Sequence, residues 1–220
     1  MKAADKPLGR SSSGGSKPRE LKQERAVRTR EQVLSAAATA FAERGFPAVT
    51  ILDVAELTGM TKGAVYFHYA NKEALAIAVA EEFYQRLPLI FEDVRKAGLP
   101  PVKAVAELLH RTAVAFRDDT IIQAGARLQI ESSLIDATLP RPFDDYTDSI
   151  TELLHEAKEV GELPASCKPE VLGRVLGAAF FGVQHISWRL NNRADLAKRV
   201  EEIIEAVLPQ TTQGPARKAS

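Results

Sequence analysis

The amino-acid sequence predicts an all-α fold of about nine helices, with a three-helix helix-turn-helix domain over residues 21–75 and a larger helical domain over residues 76–209. Three observations predict it. Apolar residues recur at the three-to-four spacing of helices along most of the chain, and no stretch alternates as a half-buried strand does. The breakers "LP", "TLPRP", "GELPASCKP" and "NNR" cut the later part into segments of helix length. Between Thr50 and Tyr69, two short helical segments flank a turn of about three residues that contains Gly59, which is the spacing of a helix-turn-helix.

Taken in order, residues 1–20 are rich in Gly, Ser and Lys and have no apolar period, so they read as a disordered basic tail. From Glu24, Val27, Val33, Leu34, Ala37, Ala38, Phe41 and Ala42 mark a first helix that Gly45 ends. Thr50, with Asp53 three residues on, caps a short second helix that stops at Gly59. Thr61 caps a third, "KGAVYFHY", and Asn71 caps a long fourth that runs to Gly98 with Pro88 as an expected kink. Further helices are expected over about 101–118, 120–131, 143–160, 169–191 and 194–208, and residues 210–220 form a polar tail.

Composition narrows the class. With 220 residues, 45% apolar and 26% charged, the chain reads as an ordinary globular protein and not as a disordered one. No apolar run approaches the roughly 18 to 20 residues that span a bilayer, and the basic N-terminus has no apolar signal core, so a cytoplasmic protein with no membrane partner is expected. The single cysteine, Cys167, forms no internal disulfide and supports no cysteine metal site. His68, His110, His155 and His185 are too dispersed for a local metal motif. Nucleophile-elbow, Walker and dinucleotide glycine patterns are absent, so neither an enzyme nor a cofactor is expected. Although the formal net charge is zero, residues 1–75 hold 12 Lys and Arg against 8 Asp and Glu. That excess points to an anionic partner at the N-terminal end.

The third helix has the chemistry for DNA. Thr61 and Lys62 sit at a helix N-terminus, where free amides and the dipole favour phosphate. Gly63 allows close backbone approach, Val65 is expected to touch a thymine methyl, and Tyr66 and His68 have donors for phosphate oxygens. Lys72 adds a cation at the start of the fourth helix, and Arg25, Arg28 and Arg30 are expected either to extend the phosphate footprint upstream or to probe the minor groove. Thr50, at the start of the second helix, is a further candidate. Phe67 and Tyr69 are expected in the core; Tyr66 is open to either role, with DNA the preferred one.

The stretch "AAATAFAERGFPAVTILDVAELTGMTKGAVYFHYANKEAL" resembles the DNA-binding domain of the TetR family of transcriptional repressors over residues 24–75. That resemblance implies that Thr61, Lys62, Tyr66, His68 and Lys72 contact DNA, and that a homodimer places two recognition helices in successive major grooves of a double-stranded operator. Further on, "IIQAGARLQIESSLIDATLPRPFDDY" is similar to the corresponding segment of the γ-butyrolactone autoregulator receptors of actinomycetes. Ala124, Gly125, Arg127 and Leu128 match its first part, and Pro140, Pro142 and Phe143 its second. Tyr146 stands where typical members have a tryptophan lining the ligand pocket. The phenol keeps an aromatic wall, frees volume and adds a hydroxyl, so a butenolide or furan carboxylic acid is as well accommodated as a lactone.

By the same resemblance residues 76–209 are a ligand-binding and dimerisation domain. Its expected apolar walls are Phe83, Leu87, Leu109, Ala113, Phe116, Ile130, Ile150 and Phe180, and its polar groups are Tyr84, Gln129, Tyr146 and His185. Gln129 equally suits solvent, His185 a satisfied core or interface position, and Arg127 a structural ion pair. Small residues at Gly173, Gly177, Ala178 and Gly182 suit close helix contact, so the eighth and ninth helices, about 169–208, are expected to form the homodimer with Trp188 as an anchor. A family member that answers to an unrelated ligand, such as an antibiotic or a fatty-acyl thioester, is the main alternative.

Overall fold

The computed structural model describes residues 18–140 and 143–208, and its regular elements are nine α-helices and one 3-10 turn, with no strand among the described residues. The helices are α1 (Pro18–Arg44), α2 (Ile51–Thr58), α3 (Lys62–His68), α4 (Lys72–Lys96), α5 (Pro101–Asp118), α6 (Thr120–Ile130), α7 (Phe143–Glu159), α8 (Pro169–Asn191) and α9 (Leu196–Val207), with the turn at Ser132–Leu134. The expected polar tail at 210–220 and nearly all of the expected tail at 1–20 lie outside the described residues. Residues 18–20 already belong to α1, which starts at Pro18 and not at Glu24; proline suits a first helical position because its missing N–H has no intrahelical acceptor there.

Local capping sets the first three boundaries. Thr50 and Asp53 close a reciprocal capping box: the Asp53 N–H donates to the Thr50 hydroxyl at 3.3 Å, and the Thr50 N–H donates to Asp53 Oδ2 at 2.6 Å. Arg44, at the end of α1, donates to the same carboxylate at 2.9 Å, so one side chain fixes the angle between α1 and α2. The hydrogen bond from the Thr50 side chain, followed by that from Arg44, holds the Asp53 pKa down at about 2, below its ordinary 3.8. A depressed carboxylate contributes stability above its unfolded value and loses it as pH falls. Asp53→Asn is therefore expected to flatten the decline in denaturation midpoint between about pH 4 and pH 2; chemical denaturation at stepped pH measures it.

Val33, Ala37, Phe41, Phe46, Val54, Val65, Tyr69 and Leu75 are buried together and make the small core shared by α1, α2, α3 and the start of α4. Asn71 caps α4, its Oδ1 accepting from the Ala74 N–H at 2.7 Å. The helix then continues as one element through Pro88, where a kink was expected. α4 packs on α5 and α6, α5 on α7 and α9, and α8 on α7 and α9. The crossing of α4 with α6 depends on Gly125, where a Cβ would overlap the root of the Phe83 ring. α6 also packs along α1, so the N-terminal unit rests on a helix of the larger domain as well as on α4.

Candidate functional site

One candidate surface is α3. The Thr61 hydroxyl accepts from the Ala64 N–H at 3.2 Å and starts the helix. Val65 and Tyr69, one turn apart, face the core at 0% and 4% exposure. Two expectations are thereby reversed: Val65 is core and does not reach a groove, while Phe67 is 81% exposed and is not core. The reason is helical register. Once Val65 points inward, a residue two positions on is rotated by about 200° and must point out. Thr61, Lys62, Gly63 and Tyr66 are exposed on the same outward side, and the Lys62 ammonium sits 5.6 Å from the Tyr66 ring centre. His68 is half-buried, its ring edge-on to Phe67 at 5.1 Å.

The flanking candidates divide. Arg25 and Arg28 are exposed on α1, and the Arg30 guanidinium lies 5.2 Å from the Tyr69 ring centre. Thr50 is exposed, but its side chain is occupied by the capping box. Lys72 is half-buried and has a duty inside the protein: its ammonium donates to the Phe46 carbonyl at 2.9 Å and lies 4.1 Å from the Phe46 ring centre. That contact pins α4 to the turn after α1.

The second candidate region is an aromatic cluster in the larger domain. Phe83, Phe116 and Phe180 form successive edge-on contacts at 6.2 and 5.3 Å, and Tyr146 lies 5.5 Å from Phe180 and 5.7 Å from Phe181. Leu109, Ala113, Phe116, Ile150 and Phe180 are each at most 1% exposed and belong to the packed core, and none of these expected walls lines either of the two cavities beside the cluster. Two cavities flank the cluster. A cleft of about 30 Å³ lies between Tyr84, Leu87, Pro88 and Phe91 of α4 and Asp145, Tyr146 and Ser149 of α7. A cavity of about 290 Å³ is lined by Phe83, Ala126, Gln129, Ile130, Phe181, Gln184 and His185. Phe181 lines the larger cavity while touching Tyr146, which borders the smaller.

Around these cavities, polar atoms are buried with no hydrogen bond: the hydroxyls of Tyr84 and Tyr146, Gln184 Oε1 and His185 Nδ1. The Thr112 hydroxyl faces Tyr146 but donates to the Leu108 carbonyl at 2.7 Å, and it closes no hydrogen bond of good geometry on the phenol. Burial pushes both phenol pKa values up, with the nearby Asp145 carboxylate adding to the rise at Tyr84, so both hydroxyls stay protonated as donors. Gln129 is half-buried and donates to the Pro140 carbonyl at 3.1 Å. Gln184 and Phe181 were not anticipated; their one signal was their place on α8, Phe181 one turn before His185 and Gln184 next to it.

A third concavity, about 820 Å³, is an open groove among α1, α4, α5 and α6 lined by many charged side chains. Several of them neutralise one another: Arg86 bonds Glu82 at 3.0 Å and Asp119 at 2.5 Å, and Arg111 bonds Glu107 at 2.6 Å. It lacks the enclosed apolar wall of a small-molecule site.

The two regions are joined through α6. Arg127 donates to the Ala42 carbonyl at 3.0 Å and to Glu131 at 2.9 Å, and Glu131 accepts the Phe46 N–H at 2.6 Å. Arg127 of α6 and Glu131 directly after it therefore hold a C-terminal carbonyl of α1 and the turn that follows, and Arg127 has the structural ion pair expected of it. Its guanidinium also stacks on Trp188 at 5.1 Å, as do Arg193 at 5.3 Å and Arg189 at 5.7 Å, while His185 meets the indole edge-on. Trp188 is half-buried within its own chain, so Ile186 and Leu190 are the exposed apolar groups of this turn. Arg193 is 3% exposed with no ion pair among the described residues; burial, followed by the charge of Arg127, lowers its pKa to about 10.

No group of three or more His, Cys, Asp or Glu suited to a metal occurs among the described residues, and no helix there is long and apolar enough to cross a membrane. The family model for bacterial regulatory proteins of the tetR family matches residues 33–79, which run from α1 into α4. The A-factor receptor protein of Streptomyces griseus is 33% identical over 188 residues, 86% of this chain, and this chain spans 65% of that relative's length. A solved structure described as the molecular basis for control of antibiotic production by bacterial hormones is 50% identical, with a TM-score of 0.76 over 82% of this chain and 96% of the other. A γ-butyrolactone receptor described as ArpA-like is 27% identical, with a TM-score of 0.66 over 82% and 99% of the two chains. These likenesses cover both the helix-turn-helix unit and the helical domain behind it, and they are to regulators and not to enzymes: the chain belongs to the TetR family of bacterial regulatory proteins.

Proposed function

We propose that this protein is a ligand-responsive transcriptional repressor that binds a palindromic or pseudo-palindromic operator as a homodimer. A small diffusible autoregulator of the γ-butyrolactone, butenolide or furan carboxylic acid type releases it, and the genes it controls serve antibiotic or secondary-metabolite production. The observation that carries the ligand class is the set of buried, unpartnered polar atoms on Tyr84, Tyr146, Gln184 and His185 beside an apolar cavity. An unpaired buried polar group costs about 1 to 3 kcal/mol, a cost that an oxygen-rich ligand of modest size would relieve. The similarity to the A-factor receptor and to a γ-butyrolactone receptor supports the same class. A cavity of about 290 Å³ favours such a ligand over a bulky antibiotic or an acyl thioester.

DNA contact belongs to Thr61, Lys62, Gly63, Tyr66 and His68, with Arg28 extending the phosphate footprint; Thr50 and Lys72 serve chiefly to hold the unit's geometry. The homodimer is assigned to α8 and α9. Val171, Val175, Ala178, Gly182, Ile186 and Leu190 are exposed on α8 at intervals of three and four residues, and they form one outward stripe along the helix. A Cβ on Gly182 would meet nothing within 4 Å, so a second helix can approach closely there.

In the free dimer the recognition helices lie about 34 to 36 Å apart, one DNA turn. Ligand against Tyr84 and Leu87 acts on α4, whose first residue, Lys72, holds the turn after α1. Reversing a strongly DNA-favouring equilibrium requires ligand to prefer the released state by about 5 kcal/mol. A gel-shift titration with synthetic members of the three ligand classes tests this. Release by none of them defeats the ligand class and leaves operator binding standing. Tyr146→Phe is expected to weaken release several-fold at unchanged operator affinity, while stabilising the free protein by about 1 kcal/mol because it removes an unpaired buried hydroxyl. Unchanged release would take Tyr146 out of the site.

A further inference from the structure

We propose that Phe67 is a base-reading side chain of α3 and that it recognises the C5-methyl group of a thymine in each operator half-site. The proposal rests on the operator-binding reading and deepens it. Phe67 is the most exposed large apolar side chain among the described residues, at 81%. A single exposed apolar residue is common on protein surfaces and by itself means little. This one occupies the outermost point of the helix, opposite the buried Val65 and Tyr69. One turn earlier on the same side stands Gly63, exposed and without a side chain, with only the Thr61 hydroxyl near the place of a Cβ. The ring is therefore the group that projects farthest from this face, and the backbone beside it is bare enough to follow it into a groove.

Chemistry selects the target. A phenyl ring has no donor or acceptor for phosphate oxygens or for the polar edges of bases. The apolar feature displayed in the major groove is the thymine methyl, which phenylalanine is suited to meet. The neighbours supply the other half of the contact: the Lys62 ammonium, with the Tyr66 ring beneath it, suits phosphate, which would set the depth and register of the ring. His68, edge-on at 5.1 Å, limits the positions the ring adopts before DNA arrives and so lowers the cost of ordering it.

The test uses the full chain and a duplex that it selects from a randomised pool, with each thymine replaced in turn by deoxyuridine, which differs only by the missing methyl. At one thymine per half-site the replacement is expected to weaken wild-type binding about four-fold, the worth of one buried methyl-sized group. Phe67→Ala is expected to bind the thymine duplex at least as weakly and to show no further loss with deoxyuridine at that position, whereas Phe67→Leu keeps part of the sensitivity. Its thermal midpoint should match wild type, as befits an exposed position. Wild-type binding that is insensitive at every thymine overturns the proposal, and so does undiminished sensitivity in Phe67→Ala. An equal loss by Phe67→Ala on unrelated duplex, or a change in its oligomeric mass, also overturns it, by assigning the ring to the phosphate backbone or to self-association. Failure to select any duplex is a different result: it removes operator binding itself, and this proposal with it.

Discussion

Replacing Gly45 with alanine is expected to cost about 3 kcal/mol, the sum of about 1 to 2 for placing a side chain at a left-handed backbone position and 1 to 3 for disturbing a buried polar cap. Gly45 has φ 81° directly after α1. A Cβ there would overlap the Glu131 carboxylate and the Arg127 guanidinium. Those groups hold the Phe46 N–H and the Ala42 carbonyl, so the substitution strains the turn and loosens its attachment to α6 together. For a chain of this size the thermal midpoint should fall by roughly 6 to 12 °C. Calorimetry measures the fall, and a gel shift on the same variant reads whether operator affinity is lost with it. A midpoint within a degree of wild type would mean that α6 does not cap α1 in solution.

Ile186→Asp is expected to convert the homodimer into a monomer and to lower operator affinity by about two orders of magnitude or more, because two linked half-site contacts become one. Ile186 is 50% exposed in the single chain, on the same face as Val175, Gly182 and Leu190. A carboxylate there costs the folded protomer little, since surface changes mostly stay within about 0.5 kcal/mol. Buried against a second copy, it would be an unpaired charge in an apolar seam. Sedimentation velocity separates the two states. A variant that remains dimeric removes the α8 stripe from the interface.

Much of the fold was legible because helix ends are written in local chemistry. Thr50, Thr61 and Asn71 cap the helices that follow them, and α5, α7 and α8 span the expected ranges to within a residue, since prolines at 101 and 169 and the breakers between segments act over a few positions. The outward identities of α3 were less legible. Val65 and Phe67 are both apolar and two residues apart in a helix of seven, and composition does not say which faces in. Contact with the rest of the small core decides it, and one choice fixes the other by helical geometry.

The candidate ligand region divides in the same way. That Tyr84, Gln129, Tyr146 and His185 border open space follows from placing polar-tipped residues among apolar ones, but the side chains that fill the core solid, Leu109, Phe116 and Phe180 among them, have the same pattern in sequence. Arg127 and Glu131 reach residues about 85 positions away, at the end of α1 and in the turn after it, and no local spacing encodes that meeting. The sequence by itself determined the helices, their caps and the family they compose, because those depend on interactions between near neighbours in the chain. Only the tertiary structure decided that Phe67 faces out, that Lys72 fastens a turn, and that four polar atoms around the cavities are left without partners, because burial and hydrogen-bond satisfaction belong to helices that meet in space.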